Sequence, residues 1–255
     1  MLNATLIERQ DLTDELAIIK IKPDDPFEAF DPGQYVALGL PGGAPRDLRF
    51  GEDPSPVKAD KLIKRAYSIA SSPREADCLE FYIAFVEDGY FTPRLALLKE
   101  GDRLFVAKKI VGTFTLQDVP GDARLVLIST GTGIAPYISM IRTPEVWTPG
   151  REVCVLHGVR YVEDLAYRGE LESLSKSNSS LRYFPVVSRE DWEGKRGYVQ
   201  SFLSDGEIEL QPAQDHIFAC GNPAMIEDVR KLVLEKGFVE KKRKEPGNFH
   251  VEEYW

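Results

Sequence analysis

The sequence is poor in cysteine and histidine, carries no surplus of positive charge and contains no long apolar run. Its three cysteines, Cys78, Cys154 and Cys220, stand far apart. They lack the close spacing of zinc or iron–sulfur ligands and are odd in number for a disulfide framework. The histidines, His157, His216 and His250, are scattered, so no metal site is expected. Lys and Arg number 32 against 41 Asp and Glu, a formal charge of -9. That excludes general nucleic-acid binding, which needs a basic face, but not a local basic patch for an acidic partner. No apolar stretch is long enough to span a bilayer. The first twenty residues include Glu8, Arg9, Asp11, Asp14 and Glu15 and do not read as a signal peptide. The expectation is a soluble cytoplasmic monomer with no membrane span.

What is present is enough apolar material, 43% of 255 residues, for one large core or two ordinary ones. Up to about residue 118 the pattern is short and strand-like: Leu16–Ile21, Tyr35–Leu38 and Leu79–Val86, punctuated by turns such as Asp31-Pro32-Gly33. This predicts an antiparallel barrel or sandwich, with a long surface loop over 41–60 and a helix over 92–99. After Pro120-Gly121 the rhythm changes. Apolar runs at Leu125–Ile128, Val153–Leu156, Tyr183–Val187 and Ile217–Cys220 alternate with helical patterns near 135–142, 164–176, 199–203 and 223–236. Such alternation predicts a parallel sheet with crossover helices. The expected domains are therefore 1–118 and 119–255, with no internal repeats.

Between them lies Ser129-Thr130-Gly131-Thr132-Gly133-Ile134-Ala135-Pro136 after a strand-length run. It reads as strand, glycine turn and helix start, where backbone can approach a bound group closely; it also reads as a plain connection. In the first half, Arg65-Ala66-Tyr67-Ser68 sits on a predicted strand, with Arg65 and Tyr67 on one face and Ser68 on the other. An arginine can clamp a pyrophosphate and a tyrosine offers a flat ring. Gly89-Tyr90-Phe91-Thr92 follows at a helix start, Cys220-Gly221-Asn222-Pro223 at a strand end, and the chain closes Glu252-Glu253-Tyr254-Trp255.

In this order and spacing the five motifs resemble the ferredoxin–NADP⁺ reductase family over nearly the whole chain. The resemblance implies an antiparallel β-barrel that binds FAD, followed by an α/β parallel-sheet domain that binds NADP. It implies that Arg65 holds the FAD pyrophosphate with Tyr90, Phe91 and Thr92, and that Tyr67 stacks on the flavin. Ala66 and Ser68 would lie along the ring, Ser68 near its reactive nitrogen. Tyr82-Ile83-Ala84 would also line the cofactor, although plant-type members carry a lysine near Ala84 that this chain lacks. Thr132 would face the flavin while Gly131 and Gly133 face the nicotinamide nucleotide. Cys220, followed by Gly221, Asn222 and Pro223, would lie beside the nicotinamide carbon that gives up the hydride. Glu252 would assist nicotinamide placement or proton transfer, Tyr254 would cover the flavin, and Trp255 would meet the FAD adenine, as in a bacterial group with one residue after the tyrosine.

Nucleotide choice has its own residues. Ser188-Arg189 follows a strand, and Arg196-Gly197-Tyr198-Val199-Gln200 comes soon after. Two arginines, a hydroxyl and an aromatic ring suit an adenosine carrying a 2′-phosphate, whereas an NAD site favours an acidic residue. Arg160 matches an arginine of bacterial members. The expected activity is hydride transfer between NADPH and FAD coupled to one-electron exchange with ferredoxin or flavodoxin. Lys108-Lys109 and Lys241-Lys242-Arg243-Lys244 are either solvated faces or meeting points for such an acidic carrier. Two alternatives stand beside this: an NADPH–flavin reductase component serving an oxygenase or a small-molecule acceptor, and a non-catalytic flavin-binding regulator. Ser68, Cys220 and Glu252 speak against the last.

Overall fold

The structure, a computed structural model, describes residues 1–75, 77–243 and 245–253. The chain divides into two compact units. One is Met1–Thr115 with Ile138–Thr143; the other is Leu116–Tyr137 with the chain from Pro144 onward.

The first unit is built on β1 (Ala4–Asp11), β2 (Leu16–Pro23), β3 (Tyr35–Pro41), β4 (Leu62–Ser68), β5 (Leu79–Ala84) and β6 (Arg103–Val106). They form one antiparallel sheet in the order β4-β3-β6-β1-β2-β5. In β2 the period-two pattern sends Ala17, Ile19 and Ile21 inward while Lys20 and Lys22 stay at the surface. All six strands feed one apolar cluster, which includes Leu6, Ile19, Leu38, Ile63, Phe81 and Leu104. For both edge strands to share that cluster the sheet must curl. The Ala70 N–H donates to the Glu80 carbonyl at 2.8 Å, linking the chain just past β4 to β5.

The helix expected over 92–99 is only α1 (Thr92–Leu95). Arg9 accounts for the early end. Its Nη1 donates to the carbonyls of Ala96 at 2.7 Å and Leu98 at 2.8 Å, oxygens that a longer helix would have used itself.

The second unit contains β7 (Arg124–Thr130), α2 (Ala135–Ile141, which runs into the 138–143 segment), β8 (Val153–Val159), α3 (Arg168–Ser177), β9 (Leu181–Val187), β10 (Lys195–Arg196), α4 (Ser201–Ser204), β11 (Asp215–Gly221), α5 (Pro223–Glu235) and β12 (Phe249–Glu253). Its strands are parallel, in the order β10-β9-β8-β7-β11-β12. Every residue of β8 is buried, as a strand covered on both faces requires. The helix expected over 164–176 is split: a 3₁₀ turn at Val162–Asp164 precedes α3, and Tyr167 between them takes φ 61°. β1, β6, β10 and β12 lie outside the strands that the sequence pattern predicts. Among the described residues no helix is long and apolar enough to cross a membrane.

Candidate active site

In the first unit, β4 presents Arg65, Ala66, Tyr67 and Ser68 in register with β3, Tyr67 opposite Val36 and Ser68 opposite Tyr35. Arg65 and Ala66 are exposed, Tyr67 is half-buried and Ser68 buried. The Arg65 guanidinium donates only to the Lys64 carbonyl, at 2.9 Å, and forms no ion pair among the described residues. The Tyr67 ring leans on Phe91 with centroids 5.8 Å apart, and burial pushes its phenol up, so it stays neutral. Phe91 itself is in the core. It therefore backs the tyrosine rather than reaching a ligand.

Thr92 is buried, and its hydroxyl accepts from the Val86 N–H at 3.1 Å. The four residues of α1 are too short to add much dipole, so the helix-start expectation weakens and the turn itself remains. On β5, Tyr82 is buried, Ile83 points into the core and Ala84 is half-buried, so Ile83 can offer a ligand only backbone.

A network missed in the sequence pins this region. Asp53 accepts from Arg94 at 2.7 and 2.6 Å and from Arg46 at 3.1 Å. Arg46 also donates to the carbonyls of Gly89 (2.6 Å) and Glu87 (2.9 Å), and Arg94 to those of Tyr90 (2.8 Å) and Gly42 (2.7 Å). The Arg94 guanidinium, then Arg46, holds the Asp53 carboxyl below its ordinary value. The 41–60 segment is irregular, as expected, but it is tied down. Beside it opens a cavity of about 510 Å³ bounded by Ser55, Lys58, Lys61, Lys64, Arg65 and Tyr90.

In the second unit the candidates collect at the carboxyl ends of the parallel strands, where ligands bind in open α/β sheets. Gly131 takes φ 52°, and the 3₁₀ turn Gly131–Ile134 carries the chain across the end of β11. A Cβ on Gly133 would lie 2.3 Å from the Cys220 carbonyl oxygen, and one on Gly221 would lie 2.4 Å from Thr130 Oγ1. Thr130 Oγ1 accepts from the Asn222 N–H at 2.9 Å. These contacts leave Thr132 half-buried beside the buried Cys220 turn. Asn222 caps α5, its Oδ1 accepting from Ala224 N–H at 2.8 Å, with Pro223 in the first turn. Glu252 on β12 pairs in register with Cys220 on β11, so a thiol and a carboxylate 32 positions apart in the chain share one level of the sheet.

 Thiol and carboxylate thus stand on neighbouring strands at the same sheet end.

The residues expected to choose the nucleotide stand at the other side of the same sheet. Val159, Val187 and Arg196 are aligned across β8, β9 and β10, so Arg160, Ser188 and Gly197 each step off a strand end together. The Arg189 N–H donates to the Arg160 carbonyl at 2.9 Å. Both guanidinia are exposed, and neither forms an ion pair among the described residues. Arg196 differs, since its Nη1 lies 2.5 Å from Asp191. Ser188 Oγ donates to the Val159 carbonyl at 3.1 Å, which uses its one proton. Tyr198 is 70% exposed, an open ring face, and Gln200 Nε2 donates to Asp228 at 3.0 Å.

Two of the three scattered histidines meet: His216 Nδ1 lies 3.1 Å from His250 Nε2, and His250 stacks on Phe218. His157 is buried between Tyr183 OH and the Gly131 carbonyl, each at 3.3 Å, and burial lowers it to about 4. Of the basic run, Lys241 is tied to Asp118 at 2.5 Å and is no open docking charge. Lys244 lies outside the described residues, as do Tyr254 and Trp255.

Residues 127–231 match the family model described as an oxidoreductase NAD-binding domain. The chain is 32% identical to the ferredoxin–NADP reductase A of Sorangium cellulosum, over 97% of this chain and 88% of that protein. It is 33% identical to the flavodoxin/ferredoxin–NADP reductase of Escherichia coli, over 94% of this chain and 93% of that one. Among solved structures it is similar to a ferredoxin NADP⁺ reductase from Neisseria gonorrhoeae with bound FAD and NADP (TM-score 0.82, 25% identity, 98% and 97% of the two chains). A cytochrome P450 reductase from Amycolatopsis is also similar (TM-score 0.76, 27% identity, 99% of this chain and 69% of that one).

Proposed function

The chain belongs to the ferredoxin–NADP⁺ reductase family, and on that premise we propose which of its residues carry the family's reaction. It is an FAD-dependent oxidoreductase that moves a hydride between NADPH and flavin and exchanges single electrons with ferredoxin or flavodoxin. FAD, when bound, supplies the step between two-electron and one-electron chemistry. The residues of the first unit fit it: an arginine with no ion pair among the described residues, a neutral tyrosine face and a cation-rimmed cavity lie along β4.

Arg65 binds the pyrophosphate, and Tyr67, braced by Phe91, offers its ring to the flavin. Ala66, Ser68, Tyr82–Ala84, Tyr90 and Thr92 complete that side. In the second unit Cys220 shapes the nicotinamide site, with Glu252 beside it to hold or pass a proton. Thr132, with Gly131 and Gly133, sets the distance of approach. Arg160 and Arg189 take the 2′-phosphate, Tyr198 the adenine, and Arg196, Ser188 and Gln200 the rim. Tyr254 and Trp255 are assigned to the flavin face and the adenine. The observation that carries this reading is the shared level of Cys220 and Glu252 over the Gly133 turn. The three cysteines are free thiols, in keeping with the cytoplasm, and we take the protein to be a monomer of two domains divided near residue 118.

An anaerobic visible spectrum tests the function. Yellow protein bleached rapidly by NADPH and poorly by NADH is expected; yellow protein indifferent to both would overturn the enzyme reading. A second reading, a reductase component for an oxygenase, is favoured by the likeness to the P450 reductase. Turnover with ferredoxin, flavodoxin and quinones side by side separates the two.

A further inference from the structure

We propose that the 42–60 segment is a strap over the cofactor, and that its Lys58 joins Lys61, Lys64 and Arg65 in holding the diphosphate–ribose part of FAD. This rests on the FAD reading above and extends it to a stretch that the five motifs do not touch.

The segment is a closed loop. The Gly42 N–H donates to the Lys61 carbonyl at 2.7 Å and the Gly43 N–H to the Ala59 carbonyl at 2.9 Å, so its two ends are paired. A Cβ on Gly42 would sit 2.4 Å from the Lys58 carbonyl oxygen, so the returning strand of the loop needs glycine there. It is also anchored at its middle. Phe50 is buried in the barrel core, the Asp47 N–H donates to the Pro93 carbonyl at 3.0 Å, and Arg46 and Asp53 tie it to the 87–94 turn. Its tip reaches the cofactor side, where Ser55 Oγ lies 2.7 Å from Tyr90 OH.

Between the loop and β4 opens a cleft of about 510 Å³ with Lys58, Lys61, Lys64 and Arg65 along it. None of the four forms an ion pair among the described residues, although the chain as a whole carries a charge of -9. Most other guanidinium groups of the barrel unit, those of Arg9, Arg46, Arg49, Arg94 and Arg103 among them, are paired with carboxylates. Lys64 Nζ lies over the Phe105 ring, 4.4 Å from its centroid, while Lys58, Lys61 and Arg65 along the cavity repel one another unless an anion occupies it. A diphosphate is such an anion, and Arg65 and Tyr90 already face it from the motif side. The strap supplies the opposite wall.

The test is flavin affinity of the apoprotein, measured by quenching of flavin fluorescence for FAD and for FMN, which lacks the second phosphate and the adenosine. K58A is expected to weaken FAD binding about threefold to tenfold, and K58A/K61A/K64A on the order of a hundredfold, with a much smaller change for FMN. The FAD affinity of the native protein should also fall more steeply with salt than that of the triple variant. A triple variant that melts like the native apoprotein and keeps its FAD-to-FMN preference overturns the strap. So does one that keeps FAD affinity but shows a raised KM for ferredoxin or flavodoxin, because the cations then face the protein carrier. Native protein that binds neither flavin refutes the FAD reading itself, an outcome distinct from both.

Discussion

Gly133 and Cys220 touch backbone to backbone: a Cβ on the glycine would lie 2.3 Å from the Cys220 carbonyl oxygen and 2.7 Å from its carbon. No flexible side chain is available to yield, so Gly133→Ala must push the 131–134 turn and the end of β11 apart. Expected is a tenfold to hundredfold slower flavin reduction by NADPH, on the order that a small misplacement costs, with FAD content retained. Gly150→Ala, at a position with no part in the site, is the control. Open space surrounds it too, so it costs only the strain of φ 84°, about 1 kcal/mol of stability. Equal reduction rates in the two variants would refute the contact's role.

Cys220→Ala removes the sulfur and leaves the strand-end backbone in place. Stopped-flow reduction should slow by at least about tenfold while NADP⁺ affinity changes little, because a small polarisable group sets the approach of the nicotinamide rather than its overall binding. An unchanged rate would show the thiol to be packing alone.

The arginines are not equivalent. Arg160 and Arg189 form no ion pair among the described residues, whereas Arg196 is paired with Asp191. Arg160→Ala and Arg189→Ala should each raise the KM for NADPH about tenfold or more and leave that for NADH nearly unchanged. Arg196→Ala should do markedly less. Equal effects on both nucleotides would remove the 2′-phosphate from the assignment.

Much of this was legible in the sequence because each signal was local. The period-two run Leu16–Ile21 and the buried runs of β7 and β8 gave the strands their type. The motifs after β7 and β11 marked their carboxyl ends. What was hidden depends on partners far along the chain. β12 is a short run whose meaning lies in pairing with β11. The His216–His250 contact joins positions that no spacing rule connects. The early end of α1 is set by Arg9 from another strand, and the order of the 41–60 loop by two arginines whose role only the fold reveals.

Asp53 serves two arginines, and the Arg94 side chain is only 4% exposed. Asp53→Ala would leave a buried guanidinium with carbonyl acceptors alone, which costs about 3 kcal/mol by comparison with other broken buried pairs. Asp53→Asn keeps one acceptor and should cost less. Denaturant melts of the two apoproteins measure both, and a loss under about 0.5 kcal/mol in the alanine variant would mean that the network does not hold the loop.

His157 makes stability depend on pH. It is fully buried, and its pKa falls from 6.5 to about 4 through burial, so it stays neutral in the fold where the unfolded chain would take a proton. The unfolded state therefore binds more protons below pH 6.5, and the contribution of neutral His157, fully present above that value, is lost as pH falls toward 4. Linkage puts the loss at about 2 kcal/mol between roughly pH 7.5 and 5. His250, lowered in the same direction by burial and then by His216, adds to it. His157→Gln keeps a polar side chain but does not titrate, so its stability should fall less over that interval even if it starts lower. Denaturation curves at both pH values decide the matter, and parallel losses in the two proteins would place the acid sensitivity elsewhere.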